Sequence, residues 1–214
     1  MPHVSDDGHG GEDRATMDRS NARWGRNVAG AYVAQFHQML DTLDLEQVCR
    51  VAERIRIARD RGATVYIAGN GGSAATATHW VNDLGKATRR AGVPPMRVMC
   101  LSDNVSWLTA LANDEGYERV FVGQLENFAA PGDILAVISA SGNSPNLLRA
   151  VEFANASGVS TVGLLGFDGG QLLDMVEYPV LVKSHVGMYG VVETMHALLA
   201  DIVTACFLAV EEAS

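Results

Sequence analysis

The sequence predicts an α/β fold, in which a five-stranded parallel sheet is flanked by helices in a flavodoxin-like, three-layer αβα arrangement. Two observations support this prediction. From residue 64 onward, five short apolar runs alternate with segments of helical periodicity, and such alternation is typical of a parallel sheet covered on both faces. Ahead of the first run, two amphipathic helical patterns form an N-terminal extension that a minimal doubly wound unit does not need.

The chain divides into three segments on this basis. Residues 1–20 are polar and acidic with few core-forming side chains, so we expect a disordered tail. Residues 21–62 carry the two helical patterns, and we expect these helices to be used in oligomer packing. Residues 63–214 form one α/β domain, because no repeat and no linker divides them.

Each element follows from its own pattern. In the first helix, apolar residues recur at three and four positions from Trp24 to Leu43, and the second helix runs from Leu45 to a stop at Gly62. The predicted strands are Thr64–Ala68, Met96–Leu101, Asp133–Ile138, Thr161–Leu165 and Tyr178–Val182. The predicted helices between and after them are Ala74–Arg89, Asn104–Ala112, Tyr117–Phe128, Pro145–Ser157, Gly170–Met175 and Gly190–Val210.

Composition limits the possible partners and the compartment. The formal net charge of −9 over 214 residues argues against a nucleic-acid partner, which requires a basic face. The cysteines Cys49, Cys100 and Cys206 are scattered through apolar patterns and form neither a metal motif nor a disulfide framework, so we expect a reducing, cytoplasmic setting. The sequence shows neither a signal-peptide pattern nor a long uncharged apolar run, so we expect no membrane partner.

The first strand ends in a glycine-rich turn that has the features of an anion site. Gly69-Asn70-Gly71-Gly72-Ser73 follows the apolar run and feeds directly into a helical segment. Glycines allow several backbone N–H groups to point into one concavity, and the helix start adds further unpaired N–H groups. Phosphate is a common ligand of such a turn, although the glycines could equally serve only the geometry of a strand-to-helix connection.

A second turn of the same kind strengthens the phosphate interpretation. The third strand ends in Ser139-Ala140-Ser141-Gly142-Asn143-Ser144, and another helix follows. Ligands of open α/β sheets bind outside the carboxyl ends of the strands. Neither turn contains a basic residue, so the anion would be held by backbone N–H groups and serine hydroxyls.

Several short motifs, in this order and spacing, carry a family resemblance. They are GNGGSA at 69–74, SD at 102–103, ND at 113–114, PGD at 131–133, SASGNSPN at 139–146 and GFDGG at 166–170. Together they resemble the SIS (sugar isomerase) domain, and within it the phosphoheptose isomerase branch. The resemblance runs from about Trp24 to Leu208 and covers nearly the whole predicted globular part.

The resemblance implies an aldose–ketose isomerase that converts a ketose phosphate, such as sedoheptulose 7-phosphate, into the aldose phosphate through an enediol. The product would serve activated heptose or unusual-sugar biosynthesis. It also implies a homotetramer with active sites between subunits. The substrate-binding residues that it implies are Asn70, Gly71, Gly72, Ser73, Asp103, Asn104, Ser139, Ala140, Ser141, Asn143, Ser144 and Glu193.

The same resemblance assigns catalytic and metal positions. His79, Asp83, Glu193 and Asp201 are the candidates for both roles; in bacterial relatives these positions are associated with Zn²⁺ and with acid/base chemistry, and no organic cofactor is implied. Asp83 stands where the family has Glu, and Asp201 stands where it has His. His185, in the loop before the last helix, is an alternative source of the missing imidazole.

Elementary chemistry leaves alternatives for each candidate. His79 and Asp83 lie four residues apart and therefore share one helix face, where they could form only a surface pair. Glu193 could be a helix-start acid that favours the helix dipole. Asp201 lies in an apolar run, and a buried carboxylate is costly unless it has a partner, so we expect it to be part of a site or to pair with another subunit. A non-catalytic SIS protein that binds sugar phosphate or a protein partner is the competing hypothesis.

Overall fold

The structure, a computed structural model, describes residues 10–212, with side chains described for residues 23–209. The chain divides after Asp41 into two compact units. In the first unit, α1 (Gly10–Asp41) is one helix of 32 residues. Of the tail predicted to be disordered, residues 1–9 lie outside the described residues, whereas residues 10–20 belong to α1. No proline occurs between residues 10 and 41, so nothing in this stretch removes a helical N–H group.

The second unit is built on one parallel sheet with the strand order β2-β1-β3-β4-β5. All four neighbouring pairs are parallel, which confirms the predicted five-stranded parallel sheet. The order is that of flavodoxin-like folds, in which the direction of winding reverses between the first and third strands. The strands are β1 (Thr64–Gly69), β2 (Arg97–Cys100), β3 (Ile134–Ser139), β4 (Ser160–Phe167) and β5 (Tyr178–Lys183).

Helices cover both faces of this sheet. Two predicted helices are interrupted: the first ends at Asn82 and continues as a π-helical turn (Asp83–Ala87), and the stretch from residue 117 begins as a 3₁₀ turn (Tyr117–Arg119). The α-helices of the second unit are α2 (Leu45–Asp60), α3 (Gly72–Asn82), α4 (Val105–Asp114), α5 (Val122–Phe128), α6 (Pro145–Ala156), α7 (Leu172–Met175) and α8 (Tyr189–Glu212).

The central strands are buried along their whole length, as expected for a sheet with two covered faces. Every residue of β3 is buried, and so are the last five residues of β1. Asp133, just before β3, joins the strand starts, because one carboxylate oxygen accepts a 2.7 Å hydrogen bond from the N–H of Thr64 and the other accepts one of 2.9 Å from Ala130. The sheet register is therefore fixed at the edge opposite the strand ends that carry the candidate site.

The last helix is long and apolar because it is a core element. Residues 189–209 have the length and composition of a membrane span, yet half of that segment is buried within the fold. α8 contacts α2, α3, β4 and β5. Packing inside the domain therefore accounts for its composition.

Candidate active site

The two predicted anion turns lie side by side at the carboxyl edge of the sheet. β1 and β3 are hydrogen-bonded neighbours with Gly69 opposite Ile138, so the turns that follow them open at the same edge. β2 lies on the other side of β1, which places the crevice at the point where the winding direction reverses. Ligands of open α/β sheets bind at this place.

The turn after β1 is folded tightly enough to require glycine. Gly71 has φ +54°, a left-handed conformation that costs a residue with a side chain. A Cβ on Gly69 would lie 2.6 Å from the backbone carbonyl of Ser73, so the strand end and the helix start are in direct contact. Gly71 and Gly72 are exposed whereas Ser73 is buried, so the backbone of the turn faces solvent.

The serine-rich turn after β3 uses two of its hydroxyls to hold its own shape. Ser139 is buried, and its Oγ accepts a 3.0 Å hydrogen bond from the N–H of Gly142. Ser141 Oγ accepts one of 3.3 Å from the N–H of Asn143. Ser144 is the residue that begins α6, followed by Pro145, and makes no side-chain capping bond. Of the three hydroxyls, that of Ser144 is the one not engaged in a turn or cap within the described residues.

The loop after β4 supports the serine-rich turn through hydrogen bonds and close backbone contact. The N–H of Leu172 donates to the carbonyl of Gly142 at 3.0 Å, and the N–H of Gln171 donates to Oδ1 of Asn143 at 3.0 Å. A side chain at Gly142 or Gly170 would collide with the other loop's backbone. Asn143, a predicted substrate ligand, therefore uses its amide to brace the turn. Ala140, another predicted site residue, is buried.

Asp103 and Asn104, both exposed, follow β2 at the same sheet edge. Thr78 of α3 donates a 2.6 Å hydrogen bond to Oδ1 of Asp103, which holds this carboxylate beside the helix. Asn104 Oδ1 caps α4 by accepting from the N–H of Trp107 at 3.1 Å. The structure thus shows a capping role for Asn104 and places Asp103 on the side of α3.

The predicted substrate ligand Asn70 pairs with Asn146, which was not among the predicted site residues, and the two amides link the two turns. Asn70 and Asn146 exchange hydrogen bonds of 3.0 and 2.9 Å between their side-chain amides. The hydroxyl of Tyr117 bonds the Oδ1 atom of Asn70 at 3.0 Å. Asn146 is buried, and it lies in the SASGNSPN motif, which was the available signal. For Tyr117, by contrast, nothing in the sequence pattern indicated a site.

Glu193 of α8 lies directly against the start of α3. A Cβ on Gly72 would lie 2.5 Å from Oε2 and 2.6 Å from Oε1 of this carboxylate, so a side chain at this position would displace the carboxylate. The carboxylate therefore stands at the positive end of a helix dipole and beside the glycine-rich turn. Glu193 is half-buried, which leaves one side of it open to a ligand.

The other three acid/base candidates form a separate group farther along the same pair of helices. The ligand atoms of His79, Asp83 and Asp201 all lie within 4.8 Å of one another, with His79 Nε2 3.4 Å from Asp83 Oδ2. Glu193, predicted as a fourth ligand, is not in this group. Asp201 is exposed, which corrects the expectation that this carboxylate is buried: it lies on an exposed side of α8, an apolar helix that is about half buried.

The histidine nearest to Glu193 in sequence belongs to the core. His196 is fully buried, and neither ring nitrogen has a hydrogen-bond partner among the described residues. Burial lowers the pKa of His196 to about 4, partly opposed by the backbone of Leu165, so the imidazole is neutral at pH 7. His185, the alternative imidazole, is exposed in the loop before α8.

Several known proteins are similar to this chain in sequence, and one family model matches it. The family model described as SIS domain matches residues 31–166. The phosphoheptose isomerase of Trichlorobacter lovleyi is 41% identical over 140 residues, which are 64% of this chain and 70% of that protein. That of Chlorobaculum tepidum is 35% identical over 174 residues, which are 80% of this chain and 82% of that protein.

A solved structure extends the similarity to nearly the whole fold. The structure of phosphoheptose isomerase GmhA from Neisseria gonorrhoeae superposes with a TM-score of 0.74 at 26% identity, over 91% of this chain and 99% of that chain. The chain belongs to the SIS domain family, and the relatives that it resembles at this level are phosphoheptose isomerases.

Proposed function

We propose that this protein is an aldose–ketose isomerase that converts a ketose phosphate such as sedoheptulose 7-phosphate into the aldose 7-phosphate. One observation carries the proposal: two glycine- and serine-rich turns stand side by side at the carboxyl edge of the sheet, and a carboxylate is packed against one of them. The paired turns suit the binding of an ester phosphate, and the carboxylate suits proton transfer. The names of the relatives support the seven-carbon substrate.

The phosphate would be bound without a charged partner. The turn after β3 leads into α6, a helix of 12 residues that begins with Pro145, and the partial positive charge at the start of this helix favours an anion. The Ser144 hydroxyl is free to add a donor, and the Ser141 hydroxyl can donate while its oxygen accepts from Asn143. The bracing from the β4 loop keeps these donors in place before substrate arrives, which lowers the entropy cost of binding.

Isomerisation moves one proton between adjacent carbons. A base takes the proton from C1 of the ketose and returns it to C2, while a second proton moves from the C1 oxygen to the C2 oxygen. We assign the carbon proton to Glu193, because its carboxylate stands at the turn that would line the sugar. The pair His79–Asp83 and the nearby Asp201 are assigned to the oxygen protons. A well-placed acid or base contributes roughly 10²–10⁴-fold to the rate.

The group of His79, Asp83 and Asp201 fits a divalent metal in ligand type. One imidazole nitrogen and two carboxylate oxygens are ligands that Zn²⁺ and Mn²⁺ accept, and the three ligand atoms lie within 4.8 Å of one another. We propose Zn²⁺ as the ion. When bound, it would occupy these three side chains as ligands and polarise a substrate oxygen, in place of proton transfer by the side chains themselves. No organic cofactor enters the proposal.

We further propose a homotetramer in the cytoplasm, with product used in activated heptose or unusual-sugar biosynthesis. α1 carries exposed apolar side chains, among them Trp24 at 70%, Val28 at 51% and Val33 at 53%, and aromatic residues are enriched at protein interfaces. A neighbouring subunit packed on this helix would cover them. Sedimentation or mass photometry of the purified protein measures the oligomeric state directly.

One experiment tests the function. The purified protein is incubated with sedoheptulose 7-phosphate, with and without added Zn²⁺, and the anomeric protons of the aldose are followed by NMR. The double variant Ser141→Ala, Ser144→Ala should raise KM at least tenfold while the thermal unfolding midpoint stays within a few degrees. Binding of the sugar phosphate without conversion would instead support the non-catalytic alternative, and retained affinity in the double variant would remove the phosphate assignment.

A further inference from the structure

The amide group of Asn70 is held in one orientation by a chain of hydrogen bonds. The N–H of Leu147 donates to Oδ1 of Asn146 at 2.9 Å, which fixes which end of the Asn146 amide is oxygen. The reciprocal pair then requires that Oδ1 of Asn70 faces Nδ2 of Asn146 and that Nδ2 of Asn70 faces Oδ1 of Asn146. No choice of amide orientation remains for either side chain.

This arrangement saturates one end of the Asn70 amide and leaves the other partly free. An amide oxygen has two lone pairs, and those of Asn70 are occupied by Asn146 Nδ2 at 2.9 Å and by the hydroxyl of Tyr117 at 3.0 Å. Of the two Nδ2 protons, one is donated to Asn146. The second has no acceptor among the described residues, and Asn70 is half-buried at the end of β1, at the mouth of the crevice.

We propose that Tyr117 and Asn146 are positioning residues that make Asn70 a hydrogen-bond donor, and only a donor, toward the sugar. The inference rests on the proposed function. An N–H group held in this way can donate to the substrate's carbonyl oxygen, which gains negative charge as the enediol forms. It cannot accept a hydrogen bond from a substrate hydroxyl. Fixed donors aimed at developing charge act chiefly on the transition state, so the network should affect kcat more than KM.

The hydroxyl of Tyr117 offers the mildest test, because this residue is exposed and Tyr117→Phe removes one oxygen atom without opening a cavity. We expect kcat to fall roughly 3–10-fold, the worth of one hydrogen bond, with KM changed less than twofold. Tyr178→Phe is the matched control, since Tyr178 begins β5 at the opposite edge of the sheet. It should leave both constants unchanged.

A double-mutant cycle separates positioning from direct action. If Tyr117 acts through Asn70, then Tyr117→Phe should have less than a twofold effect on kcat in the Asn70→Ala background, whereas independent sites give additive losses. Asn70→Asp keeps the oxygen that accepts from Tyr117 and Asn146 but loses the N–H. It should therefore be impaired as strongly as Asn70→Ala, and activity near that of the wild type in Asn70→Asp would overturn the donor assignment.

For Asn146, the buried partner of Asn70, the measurement must remain informative when the variant is partly destabilised. Asn146→Leu should lower kcat at least tenfold while inorganic phosphate still inhibits with an inhibition constant within threefold of that of the wild type, because the phosphate turn is braced separately. Loss of phosphate inhibition together with turnover would show that Asn146 only maintains the fold and would overturn its positioning role. An inactive wild type would refute the proposed function itself, whereas an active wild type with an additive cycle refutes only this inference.

Discussion

Replacing Gly72 with alanine should impair catalysis while leaving the fold intact. Gly72 is not among the glycines with positive φ, so the backbone accepts a Cβ without strain. The new Cβ would stand 2.5 Å from Oε2 of Glu193, whereas atoms in contact need roughly 3.5 Å. The carboxylate, at the end of a flexible side chain, must therefore move by about 1 Å.

The expected size of the effect follows from that displacement. A misplacement of about 1 Å in a catalytic group can cost on the order of 10²-fold, which corresponds to roughly 2.7 kcal/mol in the activation free energy. Because the clash is relieved by rotating a half-exposed side chain, the free energy of unfolding should change by less than about 1 kcal/mol. A Cβ on Gly69, in contrast, meets the backbone of Ser73 at 2.6 Å, so Gly69→Ala should damage stability and activity together.

The assay compares initial rates of isomerisation, followed by NMR, with urea unfolding of the same preparations. Gly72→Ala is measured both alone and in the Glu193→Ala background, where no carboxylate remains to be displaced. We expect a loss near 10²-fold in the first case and less than threefold in the second. An equal loss in both backgrounds, or wild-type turnover in Gly72→Ala, would show that the position of Glu193 does not govern the reaction.

Three other perturbations have defined outcomes. Asp133→Asn replaces an oxygen that accepts a buried backbone hydrogen bond, and urea unfolding should show a loss of about 1–3 kcal/mol; an unchanged midpoint would contradict the role of Asp133 in fixing the strand starts. Burial lowers the folded-state pKa of His196 from 6.5 to about 4, so the unfolded chain binds the proton more tightly than the folded protein does. The free energy of unfolding is therefore at its full value above pH 6.5 and decreases as pH falls toward 4, by up to about 3 kcal/mol. His196→Met should flatten that part of the profile of unfolding free energy against pH, and an equal slope in both proteins would refute the assignment. Asp201→Asn should weaken Zn²⁺ binding, measured by calorimetry, by more than the roughly 10–100-fold that loss of an outer-shell partner costs, whereas equal affinity would remove Asp201 from the metal group.

The sheet could be predicted because its signal is local. Strands buried on both faces must be continuously apolar, and glycine or serine turns must end them, so β1 and β3 were found to within one residue at each end. The interruptions were not predicted: the π-helical turn at 83–87 and the 3₁₀ turn at 117–119 lie inside stretches whose apolar spacing is helical throughout. Tertiary packing, which no window of sequence contains, decides where such a helix is interrupted.

The candidate site was likewise predictable in part. The positions of the two strand-end turns could be predicted because backbone geometry dictates their composition, and both lie at the carboxyl edge of neighbouring strands; that they bind phosphate stays a prediction. The exposure of Asp201 could not be read from its apolar neighbours, because the direction of one side chain around a helix depends on what packs on each face. Asn146 and Tyr117 contact Asn70 across 76 and 47 positions of sequence, and such contacts leave no periodic trace.

The interlocked loops after β3 and β4 set limits on how this protein can change its substrate. Backbone packed on backbone leaves no volume for variation, so substitutions at residues 142 and 170 are closed to selection for a new sugar. The segments after β2 and β5 reach the same sheet edge and carry exposed side chains such as Val105, the first residue of α4, and Val186 in the loop before α8. A mutant library aimed at longer or shorter sugars therefore belongs in those outer segments, where diversity can accumulate while the proposed phosphate-binding turns stay unchanged.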